Sequence, residues 1–338
     1  MKEFLIDVPV QINIWIRPEC QKKQFEVIKK VRPSILFLVS DGGRNEAEWN
    51  AIKINRKLYD ENIDWNCKVY KLYAKKNFGL YKMEIEKQKL VWNNVDRCVF
   101  LEDDILPSES FFRYCAELLE KFKDDYRINV ICGMNHLGVY DKPNTDYFFS
   151  RQGSIWGFAT WKRVYEQYYD FDYYKDNYIM NLLKERTKHN KIFWKRILGY
   201  SKNTLYEGHV ASTEYFFEFG IYGHNQLQIV PTKNLISNLG ATDNSAHFKE
   251  FYLLPKGLRK IFNMKTYEFS FPLKHPKYVI PDIDYEKKRN SRMGYNVLTV
   301  QIYRNFEQIY LQFRYGNLKK WLFNKFNRLV KGNYEKEE

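Results

Sequence analysis

Cysteine is scarce in this chain, and what there is of it is scattered. Cys20, Cys67, Cys98, Cys115 and Cys132 are the only five in 338 residues, widely spaced and without a CxxC pair. That excludes the common zinc-site spacings and a disulfide framework, and it points to a reduced, cytoplasmic protein. Three of the five fall in apolar runs that predict burial. Long apolar runs are missing as well. No uninterrupted stretch reaches spanning length and the opening MKEFLIDVPV has no secretory core, so the chain is not expected to cross a membrane by itself. Internal repeats and low-complexity tracts are absent, which removes solenoids and linker-like architectures. No RNP, KH, zinc-finger or helix-turn-helix signature accompanies the net charge of +14, so nucleic acid is not the expected partner.

What is present suits a folded protein of one large or two ordinary domains: 44% hydrophobic, 28% charged and 18% aromatic residues. The aromatics serve equally as core and as walls for nucleobases and sugar rings. Charge is unevenly placed. Residues 251–332 hold 17 Lys/Arg against 5 Asp/Glu, a net of +12, whereas residues 1–250 hold 37 against 33, a net of +4, and the last six carry −2. The basicity therefore belongs to a local contact with something anionic.

The first part alternates strand and helix signals. Strands are expected at 10–16, 34–39, 67–73, 97–101 and 128–132, with helices at about 19–31, 45–60, 82–94 and 108–124, the last capped by Ser108. This βαβα order predicts an α/β fold with an open, mainly parallel sheet and helices on both faces, its ligands gathered at the C-terminal strand ends. Residues 1–250 read as one catalytic unit, with halves at about 1–135 and 136–250. Residues 251–338 read as a basic extension that is Pro- and Lys-rich and irregular to about 300, then helical.

Three polar strand ends fall on one sheet edge. Glu102, Asp103 and Asp104 follow the apolar run 97–101; next to a core such a triplet needs either a cation or the dipole of a following helix. Hard ions such as Mg²⁺ or Mn²⁺ take one or two carboxylates with phosphate oxygens. Asp41, Gly42, Gly43 and Arg44 end the 34–39 strand, either as an ordinary glycine turn or as a carboxylate for base or ribose with a guanidinium for phosphate. Arg17-Pro18 ends the first strand.

These motifs, with 77–80 (NFGL), Ser150-Arg151, 155–161 (IWGFATW) and 230–240, resemble GT-A glycosyltransferases over about residues 8–250. The likeness is closest to the bacterial hemolysin-like or family-2-like sugar transferases, and the group is similar in plan to inverting animal N-acetylglucosaminyltransferases. The resemblance implies a GT-A (Rossmann-like) sheet and a UDP-sugar donor. It sets Arg17, Pro18, Asp41, Gly42, Arg44 and Asp103 on that donor, and Asp104, Glu102 and His247 around the metal. It also implies an inverting reaction with Glu214 at the catalytic base position. There the family's Trp-Asp pair is replaced by Thr213-Glu214, and Glu218 is the reserve; both acids also suit purely structural roles. Trp156 and Gly157 are expected to face the acceptor. His247 has an alternative as a capping or surface residue.

Leu318, Trp321, Leu322, Phe326, Leu329 and Val330 share one face of a helix, and 314–332 carries six basic residues and no acid. That composition suits either an anionic membrane surface or packing against the body. The resemblance favours a lipid-linked glycan acceptor in capsule or O-antigen synthesis, with the enzyme peripheral on the inner face of the cytoplasmic membrane. The rival readings are a sugar-phosphate nucleotidyltransferase, which would carry a glycine-rich loop after the first strand where this chain has 15–18 (WIRP), and a non-catalytic binder of anionic ligands.

Overall fold

The computed structural model describes residues 1–167, 173–187, 194–195, 205–206, 209–241, 251–295 and 297–323. The first half follows the alternation of the sequence: β1 (Ile6–Ile14), α1 (Pro18–Val31), β2 (Pro33–Ser40), α2 (Glu46–Asn62), β3 (Lys68–Tyr73), α3 (Leu80–Trp92), β4 (Arg97–Leu101), the short β5 (Ile105–Pro107), α4 (Glu109–Lys121) and β6 (Ile128–Cys132). Next come β7 (Tyr147–Ser150), β8 (Phe158–Trp161), α5 (Lys162–Glu166), α6 (Asn177–Thr187), a small β9–β10 pair (Leu205–Tyr206 and His209–Val210), α7 (Thr213–Gly223), β11 (Leu227–Pro231) and β12 (Ile236–Asn238). A short helix (Lys256–Arg259) and two longer ones, α8 (Ile283–Met293) and α9 (Leu298–Arg314), follow, and residues 318–323 are helical again.

Eight strands form one sheet in the order β3-β2-β1-β4-β8-β6-β11-β7. β1 pairs in parallel with β2 and β4, β2 with β3, and β6 with β11, while β8 runs antiparallel between β4 and β6 and β7 antiparallel at the edge. Two strands, β7 and β8, thus oppose the other six. The central strands are buried on both faces, which is why 36–39 reads as an unbroken apolar run and 128–132 as one interrupted only by the buried Asn129. β3 lies at the edge, where Lys68 and Lys71 are exposed and its other residues are half-buried. The C-terminal ends of β1, β2 and β4 lie side by side and carry the three polar motifs to one edge.

The segment after residue 250 is stitched onto this body. Asp282 Oδ1 accepts from Tyr140 Oη at 3.0 Å, Asp282 N donates to Phe149 O, and Tyr285 is fully buried against Tyr140 and Phe148. The stretch expected to be irregular contains α8, opened by the Asp282 side chain, which accepts from Tyr285 N, and closed by Gly294 in the left-handed region.

The start of α4 shows what local reading misses. Ser108 occupies the N-cap position, but its hydroxyl makes no capping bond. The carboxylate of Glu268, 159 residues further along, accepts from Glu109 N at 3.2 Å and Ser110 N at 2.7 Å instead. A carboxylate beside these open N–H groups also matches the helix dipole. Replacing Glu268 with Ala should therefore lower stability by about 1 kcal/mol in urea titration, within the range for lost caps. Ser108→Ala should leave the urea midpoint nearly unmoved; the reverse order would restore Ser108 as the cap.

Candidate functional site

The acidic triplet sits in the turn between β4 and β5 and is gripped from α1. Gln24 Nε2 donates to Glu102 O at 2.8 Å and Ile105 O at 2.7 Å, and the Gln24 carbonyl oxygen accepts from Tyr59 Oη. Gln21 Nε2 reaches Asp103 O at 3.4 Å. Both glutamines are buried. Spaced three apart on α1, they put two amides on one helix face and satisfy a loop backbone that water does not reach.

The three carboxylates have different surroundings. Asp103 is buried and accepts from Arg17 Nη1 at 2.7 Å on both oxygens, while the same nitrogen lies 3.5 Å from Asp104 Oδ2. Burial pushes the Asp103 carboxyl up to about 7, Arg17 opposing and Asp104 adding to the rise. Burial also works against the Arg17 charge, but Asp103 and Asp104 outweigh it and hold that guanidinium above its ordinary value. Glu102 keeps an exposed surface and accepts from Asn13 Nδ2 at 2.5 Å. The protein crowded around its carboxyl pushes it up, with Lys87 opposing. Asp104 Oδ2 rests against Gly240, where an added Cβ would lie 1.9 Å from it, so only glycine allows this approach. Glu102 and Asp104 are thus the acids not clamped by two short Arg17 bonds, and one or two carboxylates completed by phosphate oxygens suit Mg²⁺ or Mn²⁺. Among the described residues no group of three or more His, Cys, Asp or Glu side chains is gathered as a ligand shell, and His247 lies outside those residues.

The remaining donor candidates hold the edge together. Asp41 accepts from Gly42 N, Phe78 N, Gly79 N and Asn77 Nδ2 at 2.7–3.1 Å, so its carboxylate staples the end of β2 to the loop before α3. A Cβ on Gly42 would lie 2.3 Å from the Lys76 carbonyl carbon, so the glycine is what lets these loops meet. Arg44 is bidentate with Glu48 one turn into α2, at 2.6 and 3.0 Å, and lies over Trp15. Pro18 is the first residue of α1.

On the other side of β4, sequence reading missed a buried cluster. Lys87 and Glu84 of α3 form an ion pair, and Thr213 Oγ1 donates to Glu84 Oε1 at 2.7 Å. Burial works against the Lys87 ammonium, but Glu84, Glu102 and Glu214 together hold it above its ordinary value. One buried cation thus lies within electrostatic reach of both the acidic triplet and α7. Glu214, exposed in the first turn of α7, accepts from Ser212 Oγ at 2.9 Å. It borders a cavity of about 310 Å³ together with Glu218 and Trp156. The Trp156 ring packs against Phe262. Gly157 adopts φ 63°, and the place of its Cβ is filled by Ile236 and Ile105 rather than left open to a ligand. Trp161 belongs to the core, its Nε1 donating to Leu119 O.

The Arg17–Asp103 pair generates a test. Arg17→Met leaves a buried carboxylate without its cation and should cost about 3–5 kcal/mol where that carboxylate is charged. Removing the guanidinium raises the Asp103 pKa further, so the cost should grow as pH rises above about 7 and shrink as falling pH neutralises the group, with urea midpoints of variant and parent converging as pH falls through about 7. A pH-independent gap would assign the loss to packing alone.

No protein-family profile matches the chain, and no curated protein sequence matches it. Solved structures do align with it. Mouse xyloside xylosyltransferase 1 in its apo form aligns over 66% of this chain and 84% of its own length at 12% identity, with a TM-score of 0.34. HddC from Yersinia pseudotuberculosis covers 48% and 80% at 11% identity, TM-score 0.30. The inositol-1-phosphate CTP transferase from T. maritima covers 49% and 75% at 12% identity, TM-score 0.29. Values this low carry no argument about activity, and the α/β architecture is established by the chain's own sheet.

Proposed function

We propose that this chain is a metal-dependent, inverting glycosyltransferase that moves a sugar from a UDP-sugar to a hydroxyl of a lipid-linked glycan in bacterial surface polysaccharide synthesis. One arrangement carries the reading: the buried Lys87–Glu84 pair is bonded to the start of α7 through Thr213 and lies within electrostatic reach of Glu102, and Glu214 borders the cavity with Trp156. An acid cluster suited to a diphosphate and a carboxylate suited to an acceptor hydroxyl thus both lie within electrostatic reach of one buried cation. The uridine nucleotide comes from the family resemblance.

In this mechanism Glu214 takes the proton of the acceptor hydroxyl as its oxygen bonds to the anomeric carbon, on the face opposite the diphosphate. The bond from that carbon to the diphosphate oxygen breaks, and UDP departs with the electron pair. A divalent ion held by Asp104 and Glu102 would supply charge stabilisation for the leaving diphosphate. Arg17 positions the Asp103 side of the turn, and Lys87 keeps a positive charge within electrostatic reach of Glu102 and Glu214. Glu218, one turn beyond Glu214, borders the same cavity. Asp104→Ala should abolish Mn²⁺-dependent UDP binding in calorimetry, and unchanged binding would remove Asp104 from the ligand set. Glu214→Gln should keep UDP affinity and lose transfer by about 10²-fold or more. A fully active variant would move the base to Glu218.

An anionic membrane surface is the proposed partner of the C-terminal helices. α9 reverses the usual order of a water-exposed helix. Arg304, Glu307, Leu311 and Gln312 meet the body, with Arg304 donating to Arg292 O and Glu307 accepting from Lys256 N at 2.8 Å. Leu298, Ile302, Phe306, Ile309 and Phe313 run along an outward stripe, Phe306 69% and Phe313 71% exposed. Apolar surface of this extent marks a contact. With a net of +12 over residues 251–332, two copies meeting here would repel, whereas anionic headgroups would be attracted at about 1 kcal/mol per basic residue. No described helix is long and apolar enough to cross a membrane. The helix forecast over 314–332 is described only as far as Phe323. Phe306→Glu with Phe313→Glu should weaken binding to phosphatidylglycerol-containing vesicles by about tenfold or more. Equal binding to neutral vesicles, or no change in the variant, would overturn the assignment.

A further inference from the structure

Within the glycosyltransferase reading, and resting on it, the cavity beside Glu214 is given one polar group by the sheet. Gln228 lies in β11, where it pairs with Val130 of β6 and Ser150 of β7. It is the one polar residue in the run Leu227–Pro231, and it is 5% exposed where it lines the cavity. One end of its carboxamide is enclosed. Oε1 accepts from Cys132 Sγ at 3.8 Å and lies against Gly153, where an added Cβ would be 2.1 Å from that oxygen and 2.4 Å from the sulfur. Glycine at 153 is what lets the 151–156 loop close over it.

The other end differs. Among the described residues Gln228 Nε2 donates to no acceptor, and it is not sealed in the core but opens to the cavity. An amide left this way in an apolar strand costs stability that a leucine there would not cost. A ligand that brings an acceptor accounts for it. The rest of the lining narrows the kind. Ile155, Trp156, Phe217, Ile221, Ile261 and Met293 border the same cavity. Its charged side chains are of both signs, Glu214 and Glu218 against Arg151 and Arg289, so net charge does not decide the occupant. A hydroxyl accepting from Nε2 would still have its own proton to place beside apolar side chains, whereas a carbonyl has none. A carbonyl bearing a methyl group satisfies the donor and the apolar lining together.

We propose that this cavity takes an acceptor sugar carrying an acetyl group, as in an N-acetylhexosamine, with the carbonyl oxygen accepting from Gln228 Nε2 and the methyl against the apolar lining. The Trp156 ring offers a surface for the pyranose face. Hydroxyls on the side away from the acetyl group are offered to α7, which carries Glu214. Gln228 then determines which sugar is seated, and Glu214 acts on the hydroxyl that this seating presents.

The test is calorimetric titration of glucose, N-acetylglucosamine and 6-O-acetylglucose into the full-length protein saturated with UDP and Mn²⁺. N-Acetylglucosamine should bind about tenfold or more tightly than glucose, as expected for one satisfied buried amide and one buried methyl. A like gain for the ester would assign the seat to the acetyl group alone, and a gain for the amide only would add its N–H to what is recognised. Gln228→Leu should erase the preference, leave UDP affinity unchanged and keep or raise the urea midpoint, because the unpaired amide is gone. Gly153→Ala, whose Cβ would displace the carboxamide, should erase the preference too. No preference for either acetylated sugar over glucose, or a preference that survives Gln228→Leu, overturns the proposal. Loss of UDP binding in the parent protein would instead strike the glycosyltransferase reading.

Discussion

The grip of Arg17 on Asp103 is the contact on which the strand edge depends. Three successive carboxylates at the end of a buried strand repel one another and resist desolvation, and a core strand cannot end that way without help. The guanidinium supplies the countercharge, and Gln21 and Gln24 supply the backbone hydrogen bonds, all from α1. Because α1 is the crossover between β1 and β2, stabilising the acids also fixes how the first parallel pair is laid down. Fold and site share that helix.

A second consequence runs along the sheet. With the β4 end held by α1 from one side, its other neighbour is α3, whose Lys87 and Glu84 face inward where an amphipathic helix would place apolar residues. The pair costs desolvation and is retained where it reaches both the acidic turn and, through Thr213, the start of α7. The elements proposed to hold donor and acceptor are therefore joined through charge rather than through loops alone. α8 then closes the cavity from the C-terminal segment, supplying Arg289 and pinning His136 through Arg292.

Much of the plan was legible in order of appearance. The strands at 34–39, 97–101 and 128–132 were readable because burial leaves short, largely apolar runs, and β3 because Val, Leu and Tyr recur in a short segment with Lys. The acidic triplet, Asp41 and Arg17 stood out as polar groups at strand ends. Their partners did not: nothing local in Asp41 says that its carboxylate is filled by Phe78 and Gly79. The Ser108 cap was a sound local expectation displaced by Glu268, because a charged acceptor brought by the fold outcompetes a hydroxyl.

By itself, then, the sequence determined which segments are strands and helices, that the sheet is mainly parallel, and which edge collects the carboxylates. These follow from periodicity and from the cost of burying charge. The tertiary structure decided which of those carboxylates Arg17 clamps, and that Lys87 lies within electrostatic reach of two of the clusters. It also decided that residues 251–295 finish the cavity, and that α9 turns its apolar stripe outward. Each of these depends on contacts between residues far apart in the chain, whose energies are set by burial and distance, and neither quantity is defined until the chain has folded.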